Sequence, residues 1–199
     1  MDRMLYRHCG YALVAAAGVL LSSAVNHAQE PAPAAPKKIP LTAALVLTPE
    51  FCATVNKVGK KMINQEKFAV GKEACKQLEP ALATVFTSVT RVLDSANTGD
   101  AQVVLEPKFD DVGATQKAFA FSNRELVLVL EWTVRDKSGK VLWLETVEGS
   151  AKRHIGNTFT HGSNLKHIIE DAVQNLTEQS VEKMASAPQL QRFGALPVK

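Results

Sequence analysis

The sequence predicts an α+β fold: a mainly antiparallel sheet of four to five strands with two amphipathic helices packed on one face. Three observations carry that expectation. The stretch "ELVLVLEWTVRDKSGKVLWLETVEG" has the two-residue alternation of a β-hairpin. Two other stretches, opening near Val70 and near Leu165, repeat apolar residues at three- and four-residue steps. The run "LTAALVL" is continuously apolar, as a buried strand is.

In chain order, the first residues read as a secretion leader rather than as part of the fold. "MDRMLYRH" supplies Arg3 and Arg7, "CGYALVAAAGVLLSSAV" is an apolar core of signal length, and small residues set cleavage after Ala24 or Ala28. A membrane-spanning helix needs roughly 20 apolar residues, more than this run offers. Residues 1–28 are therefore assigned to the signal peptide. "QEPAPAAPKKIP" follows as a Pro/Ala-rich linker over residues 29–40, because proline blocks both helix and sheet ladders. A single domain is expected over 41–187 and a C-terminal tail over 188–199.

Leu41–Leu47 reads as the first strand, stopped by Thr48-Pro49. "EFCATVNK" supports two readings: Thr48-Pro49-Glu50 is a helix start, while Phe51, Ala53 and Val55 alternate as a strand; the extended reading is preferred. "VGKKMINQE" is polar and turn-like. From Val70, the residues Ala74, Cys75, Leu78, Leu82, Phe86 and Val89 form one helical stripe, with Pro80 inside a helix predicted to reach about Val89.

"SANTGD" is a turn. "AQVVLEPKF" is a strand with Val103, Leu105 and Phe109 on one face, and Pro107 marks an edge or a bulge. "DDVGATQKAFAFSNR" reads as a connection. In the hairpin, Leu126, Leu128, Leu130, Trp132 and Val134 share a face, and "DKSG" makes the turn. On the return strand Val141, Trp143 and Val147 share one face and Leu142 and Leu144 the other, predicting cover on both sides. Ser163 or Asn164 caps the second helix, whose buried stripe is Leu165, Ile168, Ile169, Ala172, Leu176 and Met184, and Pro188 ends it. Leu190, Phe193 and Leu196 in the tail either pack back or stay loose.

Cys52 and Cys75 are the only cysteines beyond the leader. An exported chain meets oxidising surroundings, where an even pair favours a disulfide; free buried thiols and half of a metal site are the alternatives. Closing a loop of this size stabilises a fold by about 3 kcal/mol in the chain-entropy view.

The chain offers no catalytic constellation. His154, His161 and His167 are the histidines of the folded region, and His161 and His167 read better as a solvated pair than as metal ligands. Asp110-Asp111 reads as the end of a strand rather than a cation site. Neither "EGSAK" nor "THGSN" fits a nucleophile elbow, and "VGKEAC" lacks the upstream glycine of a phosphate loop. "NLT" at Asn175 falls within a helix and is discounted as a glycosylation site. Net charge is only +3, so nucleic acid is not an expected partner. The expectation is a non-enzyme with no cofactor and no metal. Phe119 and Phe121, in the connection before the hairpin, are candidate partner contacts. A lipid or small-molecule pocket between helices and sheet, lined by Phe86, Leu128 and Trp132, is the alternative.

"ALVLTPEF", "FAVGKEACKQLEPAL", "DAQVVLEPKF" and "LEWTVRDKSGKVLWLETVEGSA" resemble small bacterial envelope proteins. These are the YajG-like lipoproteins and, more distantly, the LptE-like lipopolysaccharide-assembly lipoproteins and the auxiliary lipoproteins of ABC-type transporters. The resemblance runs from about Leu41 to Ala187. It implies a non-enzymatic module facing the periplasm that assists envelope assembly or transport by protein–protein contacts, with an envelope protein or lipid component as partner. It transfers no catalytic residue. The lipid-anchoring cysteine of such proteins has no counterpart, since Cys9 precedes the apolar run of the leader.

Overall fold

A computed structural model describes residues 38–58, 66–116, 123–154 and 161–196. It contains β1 (Ile39–Val46), α1 (Pro49–Cys52), β2 (Asn56–Val58), β3 (Glu66–Phe68), α2 (Val70–Leu82), β4 (Phe86–Val92), β5 (Val103–Gln116), β6 (Asn123–Asp136), β7 (Val141–His154), α3 (His161–Ser186) and α4 (Pro188–Gly194). A five-stranded sheet has the order β4-β1-β5-β6-β7, and β2 and β3 pair as a separate antiparallel ribbon. β1 runs parallel to both β4 and β5, whereas the long β5-β6-β7 meander is antiparallel. This is the predicted α+β class, with a mostly antiparallel sheet.

One face of the sheet carries the main core. Leu126, Leu128, Leu130, Trp132 and Val134 of β6 are all fully buried, as their alternation predicts. They join Leu41, Leu45, Leu105, Val147 and the apolar stripes of α2 and α3 in one core. Two features seat α3. A Cβ on Gly149 of β7 would lie 2.4 Å from Leu176 Cβ, so only glycine admits the helix at that point. The Trp132 indole N–H donates to Ser180 Oγ (3.0 Å), and Ser180 donates onward to the Leu176 carbonyl (2.8 Å), which leaves the buried indole satisfied.

The other face of the hairpin carries Val127, Val129, Glu131, Thr133 and Arg135, opposed by charged or hydroxyl residues such as Lys108, Thr146 and Glu148. Val141 (44 %) and Leu144 (58 %) are exposed, so the expectation of a return strand covered on both sides is corrected. β7 is an edge of the sheet, and among the described residues the helices pack on its inner face alone. A register shift between Val134 and Arg135 inserts one extra residue in β7 and pairs Val141 with Arg135. The bulge turns Val141 away from the Trp143 face on which alternation placed it.

Other expectations also change. α1 is a helix rather than an extended segment: Thr48 Oγ1 accepts the Phe51 N–H (3.1 Å) and Pro49 takes the first turn, where no N–H is needed. α2 stops at Leu82, two residues beyond Pro80, so Phe86 and Val89 belong not to the helix but to β4. The β-branched sequence "FTSVTRV" suits a strand, and its parallel pairing with β1 holds it there. Asp110-Asp111 does not end a strand, because β5 continues to Gln116 through a register shift between Phe109 and Asp111. Pro107 lies beyond Leu105, the last residue of β5 paired with β1. α3 begins at His161, ahead of the predicted caps Ser163 and Asn164. Pro188 both follows α3 and opens α4, which packs Leu190 and Phe193 back onto the core.

The Gly149–Leu176 contact gives a test. Gly149→Ala is expected to lower unfolding stability by about 1–3 kcal/mol through overpacking. Thr177 supplies the opposite sign: its buried hydroxyl has no hydrogen-bond partner. Thr177→Val is expected to raise stability by about 1 kcal/mol. Urea unfolding followed at the Trp132 emission reads both.

Candidate functional site

Cys52 and Cys75 are joined by a disulfide with a Cα–Cα separation of 5.7 Å. The local sequence explains how they meet. α1 carries Cys52 at its last position, and α2 starts at Val70 with Gly71 directly against the α1 backbone. A Cβ on Gly71 would collide with the Phe51 carbonyl oxygen, and the Gly71 N–H donates to the Thr54 carbonyl (3.1 Å). The Phe51 ring stacks on Phe109 of β5 with ring centroids 4.9 Å apart, fixing α1 to the sheet. Arg91 of β4 places Nη2 3.4 Å from Cys52 Sγ. The bridge thus ties the first crossover, including the β2–β3 ribbon, at its base. It is a structural clamp, with Cys75 buried in the core as its helical face predicts.

The other sequence candidates separate. Phe119 and Phe121 lie outside the described residues. Phe86, Leu128 and Trp132 are fully buried members of the core, and the polar end of Trp132 is engaged by Ser180, so these three fill space rather than line a pocket. His167 Nδ1 is 3.1 Å from Glu170 Oε2 on the exposed side of α3. Among the described residues no cluster of three potential metal ligands occurs. Asn175, the discounted sequon residue, accepts the Ser150 N–H with Oδ1 (3.0 Å). Lys183 donates to the Thr146 carbonyl (2.9 Å) and to Glu145 (2.7 Å). α3 side chains therefore occupy backbone groups along β7 that a free edge would offer to another strand.

One concave feature lies on the opposite face, where sequence reasoning did not look. β4 and β5 flank β1 and all three run parallel, so residues 93–102 must cross over β1 to connect them. That strap is shorter than the dozen or so residues usual for a parallel crossover and carries no helix. The Thr42 hydroxyl, on the face of β1 away from the core cluster, donates to the Asp100 carbonyl of the strap (3.4 Å). The strap is pinned at its far end: the Thr42 N–H donates to Gln102 Oε1 (3.0 Å), and the Gln102 N–H donates to Thr42 O (2.8 Å) and Thr42 Oγ1 (3.1 Å).

At its near end Asp94 accepts the Ala96 N–H (2.9 Å), the Asn97 N–H (3.0 Å) and the Asn97 side-chain amide (3.1 Å). The Asn97 side chain, helped by the Ala96 N–H, holds the Asp94 carboxyl below its usual value of 3.8. Between strap and sheet lies a recess of ≈ 280 Å³, bordered by Thr42, Ser88, Thr90, Val92, Asn97 and Asp100. A sequence signal for it exists in Ser88 and Thr90, two apart in "TSVTR", but the helical spacing that runs on to Val89 masks it.

No protein-family model matches the chain, and no curated protein matches it by sequence. Solved structures do match in fold. A minor lipoprotein from Acinetobacter baumannii aligns with a TM-score of 0.50 at 12% identity, covering 75% of this chain and 94% of that one. A protein from Xanthomonas campestris described under the family model DUF330 aligns with a TM-score of 0.54 at 12% identity, covering 82% of this chain and 93% of that one. At such identity the likeness is one of fold.

Two measurements test the geometry. Replacing both Cys52 and Cys75 by Ser is expected to cost about 3 kcal/mol of stability. Reductant should then shift the urea midpoint of the parent protein and leave the variant's unchanged. For the strap, a carboxyl held low contributes order that is complete above pH 3.8 and is lost as pH falls through the folded-state value below it. The protection factors of the Ala96 and Asn97 amides, observed rates set against the intrinsic rate at each pH, should therefore hold down to pH 3.8 and fall only in more acidic solution, while Asp94→Ala removes the protection at neutral pH.

Proposed function

We propose that the chain is an exported, non-enzymatic accessory protein of the bacterial cell envelope, acting in the periplasm through protein–protein contacts in envelope assembly or transport. The Cys52–Cys75 disulfide carries the reading. It closes only where thiols are oxidised, and the leader at residues 1–28 supplies the route to such a compartment. The fold likeness to a minor lipoprotein of a Gram-negative bacterium agrees with that location. Among the described residues no helix is long and apolar enough to cross a membrane. Kinship to the YajG-like or LptE-like groups is the finer form of the proposal. The chain departs from both in having its leader cysteine, Cys9, ahead of the apolar run.

Phe119 and Phe121, between the ends of β5 and β6, are the proposed contact residues. A second reading, a periplasmic domain binding a small molecule, draws support from the recess under the strap rather than from the packed helix–sheet interior.

Fractionation with thiol alkylation tests the proposal. The protein should appear in the periplasmic fraction without its leader and with Cys52 and Cys75 protected from alkylation until reduction. Recovery in the cytoplasm with both thiols free would refute it. Swapping Phe119 and Phe121 together for Ser should reduce capture of envelope proteins without lowering the melting temperature; a lowered melting temperature would place both rings in the core.

A further inference from the structure

The recess beneath the strap has no part in the clamp or in the proposed contacts, and its chemistry is specific. We propose that it is a binding site for one neutral sugar unit. The proposal does not depend on the accessory role; it rests on the second reading, a small-molecule site in this recess, and names its ligand class.

Size is the first argument. At ≈ 280 Å³ the recess falls just below the range of about 300–1,000 Å³ typical of sites for drug-sized ligands, so it suits a single small ring. The lining is the second. Thr42 pairs with Ser88 and Ala44 with Thr90, which places Ser88 and Thr90 on the same face of β4. Two residues along a strand span roughly 6.5 Å, a distance that one sugar ring bridges. Ser88 and Thr90 are exposed, and their hydroxyls have no partner among the described residues. Each can donate and accept, as a sugar hydroxyl does.

Charge narrows the ligand class. The lining holds one carboxylate, Asp100, and no Lys or Arg. A phosphate or carboxylate ligand would meet repulsion without compensation, whereas a neutral hydroxyl can donate to Asp100. Val92 and Ala101 add apolar surface for the C–H face of the ring. The site is also fixed before any ligand arrives. The Asp94 turn and the Thr42–Gln102 pairing hold both ends of the strap, which lowers the ordering cost of binding. Gly99 bends the strap at φ 56°, and a Cβ there would meet nothing within 4 Å, so this stretch of the rim is open.

Titration of the ¹⁵N-labelled exported protein with glucose and N-acetylglucosamine, followed by amide shifts, tests the inference. Saturable shifts at Ser88, Thr90 and residues 97–101 are expected from at least one of the two sugars. Ser88→Ala with Thr90→Ala should weaken binding about tenfold, two ordinary hydrogen bonds being lost. Each single variant should give a smaller loss. Both positions are exposed, and unchanged β6–β7 amide shifts would verify that the variants fold. No saturable shift from either sugar, equal affinity in the double variant, or an equal response to inorganic phosphate or methylammonium would each overturn the assignment.

Discussion

The structure depends on the long apolar face that its sheet turns towards α2 and α3. Five consecutive inward residues of β6 are fully buried, and that stripe has to be roofed along its whole length. α3 provides most of the roof over β6 and β7, and Gly149 sets how close it comes. The remaining details follow from that contact. Ser180 must meet the Trp132 indole because no water reaches it, and Asn175 and Lys183 then fall within reach of the β7 backbone. The exposed ion pairs between α3 and β7, Arg153–Asp171 and Lys183–Glu145, contribute little stability; their place along the edge is the more consequential property.

The two connections around β1 divide the work between the faces. The first, from β1 through α1, the β2–β3 ribbon and α2 to β4, runs on the apolar side. It contains short elements that would be marginal alone, since a two-stranded ribbon is rarely stable in water. Gly71, the Phe51–Phe109 stack and the disulfide together hold its base. The second connection, the strap at 93–102, crosses the opposite face with no helix to fill the space beneath it. Among the described residues its hydrogen bonds are local or directed to Thr42, and a hydroxyl-lined recess remains beside it.

Strong local periodicity was legible in the sequence. The β6–β7 hairpin, β1 and, from Ile168 on, the stripe of α3 lie where alternation or helical spacing put them, because each buries one face and the pattern records which. Errors came where two periods overlap. Phe86 and Val89 continue the α2 spacing, yet Pro80 and the β-branched run after it favour a turn and a strand. Phe51, Ala53 and Val55 alternate, yet the Thr48 cap and Pro49 win over four residues. The bulge that moves Val141 outward cannot be read from alternation, since it changes the phase that alternation assumes.

By itself, then, the sequence determined the class of fold, the inward face of the hairpin, the helical stripe of α3 and a cysteine pair suited to bridging. Those properties are set by residues within a few turns or pleats of each other. The tertiary structure decided that β1 sits between two parallel neighbours, that β7 is an edge guarded by α3, and that a strap crosses the far side pinned to Thr42. Such features arise from pairings between residues about 45 to 60 positions apart, as Thr42 with Ser88 and with Gln102, and no local period encodes a partner at that distance.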